Sequence, residues 1–353
     1  MTILTVLAVL YTLYFAREFL LPVVIALLLS FLLSPVVRWL KRWRIPTPIG
    51  SGLVLLVILA LVGAGVFGLS GSIRQWATTA PTTLSTAETK LGAIFRPLQR
   101  VSKNAEQAAD AAGRAAGVNP SGPKPTQVVV RGPSLTQRVL DAAQGSLASA
   151  FEVFILLYFL LAAGDLFLAK FVKVLPKVKD KRKAVEIVRA SEASISTYLL
   201  TTTLVNAAEG AVVVGMMYLW GIPSPILWGV LVFFFEFIPY LGAFAMAVLL
   251  TLVALTTFDS VGHALLVPAS YLLVNVVQGN FVTPLLQGHR LSLNPVAIFI
   301  GLAFWFWIWG IPGAFIAVPL LATFKLFCDH IESLAAVGEF LGEREKQTGA
   351  LPR

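Results

Sequence analysis

Charge is scarce in this chain. Only 13% of its 353 residues are Asp, Glu, Lys or Arg, while 57% are hydrophobic; soluble domains carry about 25% charged residues. A water-soluble fold of this size would have to expose much of that apolar surface, so a soluble class is excluded. Mean hydropathy, +0.83, agrees. Cysteine is nearly missing as well, and the lone Cys328 excludes an internal disulfide and a thiolate cluster. The three histidines, His263, His289 and His330, stand at no metal-ligand spacing, so no metal site and no cofactor is expected. What is left is an all-α polytopic membrane protein.

A bilayer core takes about 20 apolar residues as a helix, because each backbone polar group must be satisfied inside the segment. Thr2–Ala16 and Phe19–Val37 are free of charge and separated by Arg17 and Glu18, which predicts two helices joined by a tight turn. The first lacks a basic start and a small-x-small cleavage site, so it reads as an uncleaved span. Ile45–Ile73 holds a third. Residues 1–71 thus form spans one to three. Residues 72–146 are polar, rich in Ala and Thr, and form the one sizeable extramembrane segment. There Leu84, Leu91, Phe95, Leu98 and Val101 recur at helical spacing, Gln127–Val130 reads as a short strand, and Ser134 is a helix N-cap. Span four occupies 147–170, a basic amphipathic helix 171–192, spans five to eight 193–326, and a tail 327–353.

Between Ala193 and Phe324 the only charged residues are Glu209, Glu236, Asp259 and Arg290. Two of the four spans here, near 225–256 and 295–324, run to about 30 residues, longer than one crossing requires. Each is interrupted, by Pro239 and Gly242 in one and by Gly310, Pro312 and Gly313 in the other. They are tilted, broken or folded back as hairpins. Trp220-Gly221-Ile222-Pro223 recurs as Trp309-Gly310-Ile311-Pro312, a weak internal repeat.

The basic excess, +9 overall, sits in short loops. Arg38, Lys41, Arg42 and Arg44 lie between spans two and three, and a run from Lys170 to Arg189 between spans four and five. Short basic loops stay in the cytoplasm, so an eight-span count places both termini inside and segment 72–146 outside. Arg290 lands outside in that count; it moves inside if both long spans are hairpins. A nucleic-acid surface would interleave basic and exposed aromatic residues, so nucleic acid is not a partner. The basic run lies along the anionic inner leaflet.

Two motifs are decoys. Gly63-x-Gly65-x-x-Gly68 matches a dinucleotide fingerprint but lies inside an apolar helix, where small residues serve helix packing. Gly68-Leu69-Ser70-Gly71 matches an intramembrane serine motif, yet no histidine stands within a span to activate Ser70. No catalytic residue is expected, and the protein is not read as an enzyme.

The polar residues inside spans are more informative. A mid-span carboxylate costs about 2.5–3.5 kcal/mol on insertion scales, so Glu209 should face protein or a wet cavity. Tyr198, Thr202, Asn206 and Glu209 share one face of the fifth span. Either they wall a transport pathway with Glu209 as proton or cation site, or they form a helix–helix hydrogen-bond seam. Glu236 precedes the Pro239 break, where unpaired backbone groups can serve ions and solutes; alternatively it snorkels from a helix end. Tyr271, Asn275 and Gln278 form a second polar face, continued by Asn280, suited to a hydroxylated solute or to interhelical packing.

Four blocks resemble the autoinducer-2 exporter (AI-2E) family of bacterial membrane proteins. They are Phe159-Leu160-Leu161 with Gly164-Asp165 and Pro176; Trp228-Gly229 leading to Ile238-Pro239-Tyr240-Leu241-Gly242; Asn280-Phe281-Val282-Thr283-Pro284 with Gly288 and Leu293-Asn294-Pro295; and Gly310-Ile311-Pro312-Gly313 with Ala317-Val318-Pro319. The likeness covers nearly the whole chain. It departs at Ala243, where many members carry a second Pro. The resemblance implies a permease of the bacterial inner membrane, associated with quorum sensing, with a homo-oligomer as a further implication. Three functions are open: export of a small polar, autoinducer-2-like solute on the proton gradient; Na+ or Li+ exchange for H+, using Glu209 and Glu236; and a scaffold that transports nothing and recruits partners through segment 72–146.

Overall fold

In the computed structural model, residues 2–115, 135–164, 166, 178–287, 293–330 and 334–342 are described. The elements are α1 (Thr2–Phe15), α2 (Arg17–Arg42), α3 (Thr47–Ala115), α4 (Leu135–Ala163), α5 (Val178–Trp220), α6 (Pro225–Phe235), α7 (Leu241–Thr257), α8 (Val261–Val277), a π-helical turn (Gln278–Val282), α9 (Thr283–Gln287), α10 (Pro295–His330) and α11 (Ala335–Leu341). Among the described residues there is no strand, only an isolated bridge between Leu293 and Gly342. Five helical stretches are long and apolar enough to cross a membrane, and Ala148–Ala163, α6 and α7 are shorter apolar helices. The all-α polytopic architecture follows. The expected strand at Gln127–Val130, the cap at Ser134 and residues Asp165, Pro176, Gly288, His289 and Arg290 lie outside the described residues.

Three boundaries differ from the sequence reading. α1 has 14 residues, short of the ~20 that a crossing takes. Leu10 and Leu13 pack into a cluster with Leu28 of α2 and with Ile308 and Trp309, and Trp309 Nε1 donates to the Leu13 carbonyl at 3.0 Å. α3 continues through Ser72 to Ala115 without a break, because a change from apolar to polar side chains leaves the backbone hydrogen bonds of a helix intact. For the same reason α5 runs from Val178 through position 193 to Trp220.

Both long interrupted segments fold back. Trp76 of α3 packs edge-on against Trp228 of α6, ring centres 5.5 Å apart. Lys90, further along α3, donates from Nζ to the Leu255 and Phe258 carbonyls at the end of α7, 2.8 Å each. Trp220, at the end of α5, meets Phe258 and His263. The start of α6 and the end of α7 therefore share one face with the end of α5 and the start of α8. α6 and α7 descend and return as a hairpin whose tip is Glu236–Tyr240. Gly242 abuts the Phe235 carbonyl across that tip, and Pro239 lies within it, its carbonyl accepting from Leu241 N at 2.7 Å.

α10 is a hairpin too. A Cβ added to Gly301 would lie 2.6 Å from Leu321 Cδ1. In a straight helix twenty residues rise about 30 Å, so the arms 295–309 and 311–330 run antiparallel. The fold occurs at Gly310, with φ 65° and ψ −147°, a backbone conformation essentially reserved for glycine. Gly313 fits against the Trp305 carbonyl, and Ile311 and Pro312 are exposed. Gly221, its counterpart in the tetrapeptide repeat, also has a positive φ, 68°, and ends α5.

The second hairpin opens on the opposite face. Asn294 N donates to the Leu341 carbonyl at 2.9 Å, and Tyr198 of α5 packs with Leu293 and Val318. Arg38 near the end of α2 pairs with Glu192 of α5 at 2.7 Å, toward that same face. Hairpins thus enter from opposite sides, and Ile238 at the first tip packs on Leu302, Ala314 and Ala317 of the second.

Candidate functional site

The largest apolar core gathers Val213 and Met217 of α5, Trp228 and Val232 of α6, Met246, Leu250 and Val253 of α7, and Val267 and Tyr271 of α8. It locks the first hairpin between α5 and α8. Within it α5 and α6 cross at bare backbone: a Cβ on Gly210 would stand 2.6 Å from the Gly229 carbonyl oxygen. Small residues permit this approach in lipid, and it sets Glu209, the neighbour of Gly210, beside the hairpin.

The polar residues of three elements then meet. Asn275 Nδ2 on α8 donates to Glu209 Oε1 on α5 at 3.3 Å and to Glu236 Oε1 at the hairpin tip at 2.9 Å. An amide nitrogen carries two hydrogens, so one nitrogen serves one carboxylate with each. Tyr271 OH, a helical turn earlier, donates to the same Glu236 oxygen at 2.7 Å. Glu209 is 3% exposed and Tyr271 0%, so neither faces lipid or bulk water. Glu236 is half-buried and hydrogen-bonded inward, which is a different placement from a carboxylate snorkelling at a helix end.

Depth follows from helix rise. Glu209 stands eleven residues before Trp220, and Glu236 eleven after Pro225, about 16 Å from the shared face in each case. That rise is about half the ~30 Å thickness of a hydrocarbon core.

The remaining polar positions are distributed around this cluster. Asn206, 2% exposed, lies beside Glu209 on α5. Further down that face Tyr198 and Thr202 share a side-chain hydrogen bond. Gln278 begins the π-helical turn. Asn280 is exposed, and its amide donates to the Val276 carbonyl of its own helix at 2.8 Å. Nine positions after Tyr271, Asn280 stands on the opposite side of the helix from the face that Tyr271 and Asn275 share. Elsewhere Ser70 donates to the Phe67 carbonyl, while His263 stacks on Phe258. Sequence reasoning missed Gly210, which sets Glu209 beside the hairpin, and Lys90, which ties α3 to the far end of α7. Gly210 carried a signal, a small residue next to a buried acid; Lys90 carried none, being 165 residues from its partner.

Apolar helices that enclose hydrogen-bonded carboxylates between two opposed hairpins define a multi-pass membrane protein with a buried polar centre. The chain matches the AI-2E family transporter profile over residues 3–333 and belongs to that family. Among its relatives is the AI-2 transport protein TqsA of Escherichia coli, 25% identical over 335 residues that cover 94% of this chain and 92% of TqsA. A Borreliella burgdorferi protein, provisionally named a transport protein, is 28% identical over 92% of this chain and 84% of its own length. A provisionally named transport protein of Mycobacterium tuberculosis is 29% identical over 86% and 80%. The protein is a multi-pass transporter of the bacterial inner membrane.

Proposed function

We propose that the protein exports a small polar solute of the autoinducer-2 kind, driven by the proton gradient, with Glu209 as the coupling residue. The observation that carries this reading is the convergence of Glu209 and Glu236 on one nitrogen of Asn275. One carboxylate belongs to a membrane-crossing helix and the other to the tip of a hairpin that does not cross. A proton moving on or off either acid changes what Asn275 can hold, and so changes how the tip is tethered. Below the cluster, Asn206, Thr202 and Tyr198 offer polar groups along α5 toward the face that carries Arg38. That face is cytoplasmic by the retention of short basic loops, and the C-terminal segment lies on it. The N-terminus joins it only if α1 crosses, for which 14 residues are few. Gly63, Gly65, Gly68 and Gly71 of α3 have nothing within 4 Å of an added Cβ, open glycine positions in an apolar helix that favour self-association.

A test is efflux of autoinducer-2 from cells or inside-out vesicles. Glu209→Gln should abolish its dependence on the proton gradient; unchanged rate and unchanged gradient dependence would defeat the assignment. The paired acids favour a second reading, exchange of Na+ or Li+ for H+. Sodium-induced pH change in everted vesicles separates the two. A non-transporting scaffold would lose its activity on deletion of Ala87–Pro133, whereas a carrier built on α5 to α10 would keep it.

A further inference from the structure

A groove of about 510 Å³ runs between α3 and α4, bounded by Gly52, Leu56 and Leu59 of the first and by Ile155, Tyr158 and Phe159 of the second. None of these residues belongs to the polar cluster. Leu56, Leu59, Ile155 and Phe159 are exposed, so the groove opens outward to whatever surrounds the helices. Its floor is fixed, because Leu55 and Leu157 pack with Val37 of α2. Gly52 keeps one end clear: a Cβ there would touch Tyr158 Cε2 at 3.9 Å.

An apolar groove alone does not choose its occupant; what lies beside that end does. Gly52 stands five residues into α3, about 7.5 Å of helix rise, and the turn before α3 carries Lys41, Arg42 and Arg44. The turn is held in place. A Cβ on Gly50 would meet Leu40 at 3.7 Å and Ile45 at 3.8 Å, and Arg44 N donates to the Lys41 carbonyl at 3.0 Å. All three basic side chains are exposed. Among the described residues none of them has an acidic partner, whereas Arg38, a turn earlier, is taken by Glu192. Trp39 and Trp43, exposed and with ring centres 5.6 Å apart, flank these charges. Tryptophan gathers at the headgroup level of a bilayer, and the groove begins just below that level.

Unpaired positive charge at the headgroups and a carbon-lined groove beneath it follow the order of groups in one kind of molecule. A water-borne anion would meet the charges and leave the groove unfilled. A neutral lipid would fill the groove and leave the charges unmatched. A second copy of the chain, held in the same orientation, carries its own basic loops at this depth and adds like charge. We propose that the α3–α4 groove is a binding site for an anionic phospholipid, its phosphate at Arg42 and Arg44 and one acyl chain along Leu56 and Leu59. The site is independent of the solute that the protein carries.

The test is native mass spectrometry of the full-length protein in detergent. It is titrated with phosphatidylglycerol or with phosphatidylcholine of the same acyl chains, each alone and against glycerol 3-phosphate. Phosphatidylglycerol should bind the tighter, and glycerol 3-phosphate should not displace it. Arg42→Gln and Arg44→Gln should each weaken phosphatidylglycerol about fivefold, the ~1 kcal/mol of one charge near an anionic surface, and leave phosphatidylcholine unchanged. A misfolded variant would lose both lipids alike, so the ratio of the two isolates the headgroup contact. Leu56→Trp, at an exposed position, narrows the groove and should weaken both lipids. Equal affinity for the two lipids in the wild type overturns the proposal, as does displacement by glycerol 3-phosphate or full affinity retained in all three variants. A map in nanodiscs that shows a helix of a second copy seated between Leu56 and Ile155 overturns it as well.

Discussion

Gly210 on α5 and Gly229 on α6 touch backbone to backbone: a Cβ on Gly229 would stand 2.5 Å from the Gly210 carbonyl oxygen, and the reverse distance is 2.6 Å. That contact joins the longest element of the site to the hairpin that carries Glu236. The first prediction comes from it. Gly210→Ala should destabilise the protein by about 1–3 kcal/mol, the usual range for overpacking, read as a lower melting temperature in detergent. Gly229→Ala should do likewise, and the double variant should fall short of the sum because the two share one contact. Additive losses would show that the crossing is not a single unit.

Asn275 is the pivot between the acids. Asn275→Leu removes both donors while keeping most of the volume, and leaves two buried acceptors without their shared partner. Efflux should drop about as far as in Glu209→Gln, and the combined variant should be no worse than either. Independent, multiplying losses in vesicle transport would separate Asn275 from the coupling unit.

Lys90 seals the end of α7 from 165 residues away in the chain. A lysine donating to helix-end carbonyls satisfies groups that the helix itself leaves open. Lys90→Met keeps the apolar stem and removes both bonds, at a cost of about 1.5–3 kcal/mol for hydrogen bonds to a charged group. Hydrogen exchange should quicken at residues 255–262 and stay unchanged at α2. Equal protection in both proteins would make the contact incidental.

Gly310 turns the second hairpin. Any side chain there must adopt φ 65° and ψ −147°, so Gly310→Ala should cost about 1–3 kcal/mol. Gly262, which has open space around it and an ordinary φ, is the control. Its Ala variant should be neutral to slightly stabilising in the same melting assay.

Much of this arrangement could be read from residue order. A buried carboxylate at Glu209, a polar face through Tyr271 and Asn275, and chain breaks at Pro239, Gly242 and Gly310 all follow from single-element arguments. What periodicity does not contain is register between elements. The faces of α5 and α8 were visible separately, but nothing in either reveals that one amide of α8 reaches both Glu209 and Glu236. Hairpins were equally hidden. In a lipid environment an apolar segment of about 30 residues has the same composition whether it is straight, tilted or folded in two. Asn280 stands off the polar face by helical spacing alone, nine positions after Tyr271 and so opposite it, and is exposed.

The α6–α7 hairpin also bears on how the chain is made. α6 has only 11 residues, about 16 Å of helix, too little to be threaded through a bilayer by itself. Its irregular tip around Glu236 is tolerated at membrane depth only when other helices surround it. A ribosome that has just released α7 has not yet supplied α8, and with it Tyr271 and Asn275. Biogenesis of this half therefore waits on its own downstream partner, and chains stalled after Thr257 should be held by insertion machinery until α8 emerges, which site-specific crosslinking of nascent chains would reveal.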